Sequence, residues 1–163
     1  MKCHNCNKTY DDDFNFCPYC GNELIDESEL IELMEKIDNY KKLEKYKEAI
    51  ECCNKIIELD PTNKLSWEVK SNYLSGHAKY DEALELWDKA IELNSTEDWP
   101  WANKAYCLQD LKRFEEALEC WDKAIELNPT SSWYWVGKAG CLQKLGRDEE
   151  AGKCFMKSRK LRL

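Results

Sequence analysis

The stretch that decides the fold, residues 101–130, reads WANKAYCLQDLKRFEEALECWDKAIELNPT. Its apolar residues follow a helical pattern, first at Trp101, Ala105 and Leu108 and again from Phe114 onward. Residues spaced by three, four and seven positions share one face of an α-helix, so the stretch predicts two amphipathic helices. The Asn-Pro pair near its end is typical of the point where a helix stops.

The same pattern returns along the chain with a period of 34 residues. Residues of the same kind recur at the same offsets: Ala49, Ala83, Ala117 and Ala151; Trp67, Trp101 and Trp135; Leu74, Leu108 and Leu142; Trp87, Trp121 and Phe155. A fixed period of this length indicates an array of similar units, each of which buries its apolar face against its neighbours.

A 34-residue period with aromatic, small and proline residues at these offsets resembles the tetratricopeptide repeat (TPR) family. The resemblance implies a mostly α fold, a right-handed α-solenoid of four helix-turn-helix units. The predicted TPR domain spans residues 26–163, and its repeats lie at about 30–63, 64–97, 98–131 and 132–163.

The composition and the N-terminus restrict where the chain works. It has 163 residues and a formal net charge of -8, and no apolar run reaches the roughly 18–20 residues that cross a bilayer. The N-terminus shows no apolar signal segment. A pI near 5.0 disfavours nonspecific binding to nucleic acid or to an anionic membrane. We therefore expect a cytoplasmic protein with neither a nucleic-acid nor a membrane partner.

Four of the ten cysteines form two Cys-x-x-Cys pairs near the N-terminus: Cys3, Cys6, Cys17 and Cys20. Four thiolates at this spacing favour a tetrahedral site for one zinc ion. The pattern over residues 1–25 resembles the short zinc-ribbon family, which implies a small β-type domain. A closed four-thiolate site leaves no position for a substrate, so we expect the zinc to be structural.

The cysteine pairs leave alternatives open. A rubredoxin-like iron or redox protein uses similar pairs, although they lie farther apart in sequence. The run Asp11 to Asp13 would repel a phosphate backbone, which disfavours nucleic-acid binding by the ribbon. The short junction to the first repeat suggests two roles for the ribbon, which either docks a partner or covers the edge of that repeat.

One face of the first helix in each repeat lines the concave groove that receives peptides in the TPR family. The equivalent positions here are Leu65, Asn72, Trp99, Ala102, Tyr106, Gln109, Trp133, Val136 and Gln143. They predict an aromatic, largely uncharged groove, and exposed aromatic residues on such a surface indicate an interaction site. Alternatively, Trp99 and Trp133 pack against the turn after the preceding repeat. The lysines and arginines with which some relatives hold a peptide's terminal carboxylate are absent at these positions.

The sequence favours a protein that binds other proteins without catalysis. It contains no convincing Ser/His/Asp set, glycine-rich phosphate loop or paired acids, so we predict no enzyme. The leading hypothesis is an interaction adaptor or scaffold whose groove binds a partner peptide, with the ribbon as a structural or docking module. The other hypotheses are the iron or redox protein, and a self-assembling oligomer, such as a homodimer, formed through the last helix with Phe155 and Leu161.

Overall fold

The structure is a computed structural model that describes residues 16–19 and 27–162. These residues form eight α-helices: α1 (Glu27–Lys42), α2 (Tyr46–Leu59), α3 (Lys64–Gly76), α4 (Tyr80–Leu93), α5 (Trp99–Asp110), α6 (Phe114–Leu127), α7 (Ser132–Lys144) and α8 (Asp148–Lys160). The prediction of a mostly helical chain is confirmed over this range. The β-type ribbon and the division at residue 25 fall outside it and stay predictions.

The 34-residue period is also present in the backbone. The turn inside each helical pair contains one residue in the left-handed region, with φ between 56° and 71°, at Glu44, Ala78, Lys112 and Gly146. In the third pair, Lys112 N donates to Gln109 O at 2.9 Å, and Arg113 N donates to Leu108 O at 2.8 Å. The other three turns repeat this pair of hydrogen bonds. Each is a Schellman turn, which satisfies carbonyls that the end of the first helix would leave unpaired.

The chain divides into two compact units, Met1–Tyr73 and Leu74–Leu163. In the first unit, α1 packs against α2 around a core of Leu33, Ile37, Cys52, Cys53 and Ile56. The side chain of Trp67 is fully buried, and its Nε1 donates to the carbonyl oxygen of Pro61 at 2.9 Å. The tryptophan of the repeat therefore also fixes the preceding turn.

In the second unit, each helix from α4 to α8 packs against the next one. The alanines that keep the 34-residue beat are buried, and so are Trp87 and Trp121 beside them. The small side chains let helix backbones approach, and the indole rings fill the remaining space. Across the described part of the chain, no helix has the length and apolar character required to span a membrane.

Candidate functional site

The predicted groove residues lie on three helices. Leu65 and Asn72 are on α3, in the first unit, and both are exposed. The other seven are in the second unit, on α5 (Trp99, Ala102, Tyr106, Gln109) and on α7 (Trp133, Val136, Gln143). Because α5 and α7 contact each other directly, the residues of these two helices are the ones that can form a common surface within one unit.

Trp99 belongs to the core of the second unit. Only 6% of its surface is exposed, and its ring meets Trp87 edge-on, with the centroids 6.0 Å apart and the planes at 79°. Ala102, one turn later, is buried as well. For Trp99 the burial agrees with the packing alternative, and a partner would not reach this side chain.

Trp133 is an exposed side chain at the start of α7, with 58% of its surface accessible. Its ring lies tilted against the half-buried ring of Tyr106, with the centroids 5.1 Å apart. Tyr106 in turn meets the fully buried Trp121 edge-on at 4.9 Å and 87°. These three rings form a continuous stack from the core to the surface, so the exposed indole is supported from below.

Trp99 and Trp133 are one period apart but differ in burial, and Tyr106 accounts for the difference. The ring of Trp121 is contacted by Tyr106 and by Tyr134. One period before Tyr106 the sequence has Asn72, which carries no ring. With Tyr106 against Trp121, Trp133 lies on the outer side of Tyr106 rather than in the core.

A polar network holds the beginning of α7. Asp98 Oδ2 accepts hydrogen bonds from Tyr134 Oη at 2.8 Å and from Asn128 Nδ2 at 2.7 Å. Tyr134 is therefore tied to the residue before α5, which fixes the neighbouring Trp133 relative to Tyr106. Sequence reasoning missed this network, because no spacing rule brings together residues 30 and 36 positions apart.

The residues around the aromatic stack are uncharged. Burial raises the pKa of the Cys141 thiol to about 11, and the nearby side chains of Trp121 and Gln109 act in the opposite direction. Burial, and to a smaller extent Cys141, raises the pKa of Tyr106. Both groups are therefore neutral near pH 7.

The lysines in the middle of α5 and α7 are already paired. Lys104 contacts Asp88, and Lys138 contacts Asp122, one period later. In each case the aspartate lies on the helix before, so the ion pairs connect successive repeats. These lysines are not available to neutralise an acidic ligand.

We call the remaining set the α5–α7 surface: Tyr106, Gln109, Trp133, Val136, Gly140 and Gln143. Val136 is half-buried and Gln143 is exposed. This surface combines an exposed ring pair with amide side chains and no ionised group of its own, which suits an apolar or hydrogen-bonding ligand.

Two clefts lie elsewhere, between the helices of single pairs. One, of about 440 Å³, is lined by Trp101, Lys104, Leu108, Glu116, Glu119, Cys120 and Lys123. The other, of about 210 Å³, is lined by the equivalent residues two periods earlier, from Leu33 to Lys55. Their recurrence identifies them as a feature of helix pairing. Burial raises the pKa of the Cys120 thiol to about 11, which disfavours a reactive thiolate there.

Of the four predicted zinc ligands, Cys17 lies among the described residues, where it is buried next to a turn at Pro18 and Tyr19. Cys3, Cys6 and Cys20 lie outside them. Within residues 16–19 and 27–162, no three His, Cys, Asp or Glu side chains come together in a way that could hold a metal ion.

Family comparisons match the helical part of the chain. One tetratricopeptide repeat model matches residues 39–63 and 99–131, and a second matches residues 120–153. The chain contains tetratricopeptide repeats. Residues 1–25 match a domain of unknown function, DUF7575. No curated protein sequence matches this TPR chain significantly.

Solved structures share the fold of this TPR chain. A crystal structure of MamA has a TM-score of 0.67 at 19% identity and covers 84% of this chain and 80% of its own. MamA from Desulfovibrio magneticus RS-1 has a TM-score of 0.66 at 18% identity, with coverages of 83% and 77%. The second TPR of Spaghetti (RPAP3), solved with an HSP90 peptide, has 0.56 at 23% identity, with 61% and 93%. At these identities the likeness concerns the fold.

Proposed function

We propose that this chain is a noncatalytic adaptor whose α5–α7 surface binds a segment of a partner protein. The observation that carries the proposal is Trp133, a large aromatic side chain that is mostly exposed yet held in place by Tyr106 and Trp121. A rigid, exposed indole supplies contact area at a low cost in side-chain entropy, and such residues dominate binding energies at interfaces.

The RPAP3 repeats are titled as bound to the HSP90 peptide SRMEEVD, so this fold can accommodate a peptide. That peptide is acidic at its end. The α5–α7 surface has no ionised group of its own, and Lys104 and Lys138 are paired with aspartates. A partner of this chain would therefore differ in charge from the RPAP3 ligand.

The proposal is tested with Trp133→Ala in a capture experiment from native lysate, with quantitative mass spectrometry of the bound proteins. Leu93→Ala is the matched control, since Leu93 is another exposed apolar residue of the second unit but lies outside the surface. We expect Trp133→Ala to lose specific partners and to unfold at a temperature close to that of the parent. Equal capture by the two variants would contradict the proposal.

We further propose that Cys3, Cys6, Cys17 and Cys20 hold one structural zinc ion. Buried Cys17 and the donor set of four thiolates fit this ion. Metal analysis of the purified chain is expected to give about one zinc per chain, and Cys17→Ser to reduce that content. Iron in place of zinc, with a coloured protein, would instead favour the redox alternative.

Self-association is a second candidate, favoured by Phe155 on α8. Phe155 is 38% exposed, whereas Trp121, its equivalent one period earlier, is fully buried. If α8 meets a second copy, light scattering will detect dimers, and Phe155→Ser will convert them to monomers. A monomeric parent protein at high concentration would exclude this role.

A further inference from the structure

Two glycines on α7 differ in what surrounds them. A Cβ built on Gly137 would lie 2.4 Å from Cζ2 of Trp121, so packing requires glycine at that position. A Cβ built on Gly140 would meet a single neighbour, Gln109 Nε2, at 3.7 Å, which is an ordinary contact. Packing does not require glycine at 140. The missing side chain leaves a gap beside the Gln109 amide, on the α5–α7 surface.

The Gln109 amide has unused hydrogen-bonding capacity. Its Oε1 is enclosed by protein and has no hydrogen-bond partner. An enclosed acceptor without a donor is unfavourable, and each such group in a native structure calls for an explanation. The terminal torsion of a glutamine is broad and roughly two-fold, so a half-turn exchanges the positions of its oxygen and nitrogen. Either atom can then face the gap at Gly140.

We infer that the Gln109 amide pairs with a main-chain peptide group of a docked, uncharged, extended segment, and that Gly140 provides the access. This inference rests on the proposed binding role of the α5–α7 surface. A peptide group offers one donor and one acceptor, as a glutamine amide does, so the two are complementary. The pairing replaces the missing partner of Gln109 and needs no particular side chain on the segment.

The surface also determines the charge of the segment. Tyr106 and Cys141 are neutral, Lys104 and Lys138 are occupied by aspartates, and the whole chain carries a net charge of -8. An acidic segment would lose the hydration of its carboxylates and gain no cation in return. A neutral segment has no such cost, and an apolar side chain on it can cover the Trp133 ring.

Helix geometry gives the spacing between the two contacts. Trp133 and Gly140 are seven residues apart on α7, which corresponds to roughly 10 Å along the helix axis. An extended segment advances about 3.3 Å per residue. The apolar residue over Trp133 and the peptide group paired with Gln109 are therefore about three residues apart in the partner.

The probe for this inference is a library of random peptides of roughly twelve residues, long enough to span both contacts, selected by phage display on the full chain. The best binder is then synthesised with a fluorescent label and titrated by anisotropy. We expect selected sequences poor in Asp and Glu, with a shared apolar residue. Selection of acidic sequences, or of none above background, would overturn the inference.

Three variants locate the contact in the selected peptide. Gly140→Ala fills the gap and is expected to weaken binding about tenfold, while helix propensity leaves the fold at least as stable. Gln109→Leu removes the amide at similar size and is expected to lose a similar factor. Trp133→Ala tests the surface itself, and circular dichroism checks that each variant folds.

Backbone N-methylation of the peptide, one residue at a time, gives a double-mutant cycle with Gln109→Leu. We expect one N-methyl position to weaken binding to the parent chain about tenfold and to have no further effect on Gln109→Leu. If Gly140→Ala and Gln109→Leu bind normally while Trp133→Ala does not, the pairing is wrong and the binding surface stands. If Trp133→Ala also binds normally, both are wrong.

Discussion

Replacing Gly137 with alanine is expected to destabilise the second unit, because the new Cβ would enter the space of the Trp121 ring. The distances from that Cβ to Cζ2, Cε2 and Cη2 would be 2.4, 2.6 and 2.7 Å, all shorter than real Cβ contacts. The ring cannot easily move away, since Tyr106 and Tyr134 lie against it and no part of it reaches solvent.

The expected magnitude is the balance of two effects. Overpacking a core by a methyl group costs about 1–3 kcal/mol, and the tight contact here favours the upper end. Alanine within a helix gains about 1 kcal/mol over glycine. The net loss in the free energy of unfolding for Gly137→Ala is therefore about 2 kcal/mol, or roughly 4–8 °C in Tm for a chain of this length.

Urea unfolding followed by circular dichroism measures this loss, and Gly140→Ala is the matched control. The same substitution three residues later meets one atom at 3.7 Å, so it should keep the helix gain and raise stability by up to about 1 kcal/mol. Equal midpoints for the two variants would show that Trp121 does not occupy the space beside Gly137 in solution.

Three further predictions concern the turns, an ion pair and a buried thiol. Lys112→Gly removes a side chain from a left-handed residue and should raise the free energy of unfolding by about 0.5–1 kcal/mol, whereas Gly146→Ala should lower it by a similar amount in the same urea assay. The hydrogen bond with Arg113 lowers the pKa of Glu116 from 4.5, so this pair stabilises the fold above the unfolded pKa and ceases to do so as the pH falls through the folded one. Glu116→Gln should therefore lower the urea midpoint near neutral pH and leave it unchanged well below that folded pKa; an equal change at both would contradict the linkage. Since burial raises the pKa of Cys120 to about 11, iodoacetamide near pH 8 should label it, by peptide mapping, only after unfolding, and rapid labelling of the native chain would refute the burial.

The helices could be predicted from the sequence because the period fixes them. The second helix of each pair begins at Tyr46, Tyr80, Phe114 and Asp148, again 34 residues apart, as the repeated alanines indicate. Each begins just after a turn whose hydrogen bonds involve the backbone alone, so changes of side chain within the turn do not disturb the pattern.

The binding surface could be predicted only in part. Trp99 and Trp133 have the same position in the repeat, and their burial depends on whether another ring already covers the tryptophan beneath them. That ring is Tyr106 for Trp133, a contact between residues far apart in sequence. Gly137 and Gly140 are likewise indistinguishable by pattern, since three positions on a helix decide whether a Cβ meets an indole or open space.

The Schellman turns also determine how the length of this chain could change. The left-handed position holds Glu44, Ala78, Lys112 and Gly146, so four unrelated side chains occupy one backbone conformation. Insertion or deletion of 34 residues would keep every later helix face in phase with its neighbours. A deletion of 33 would rotate each later residue by about 100° around its helix and turn apolar faces toward water. The array can therefore lengthen or shorten only by whole repeats.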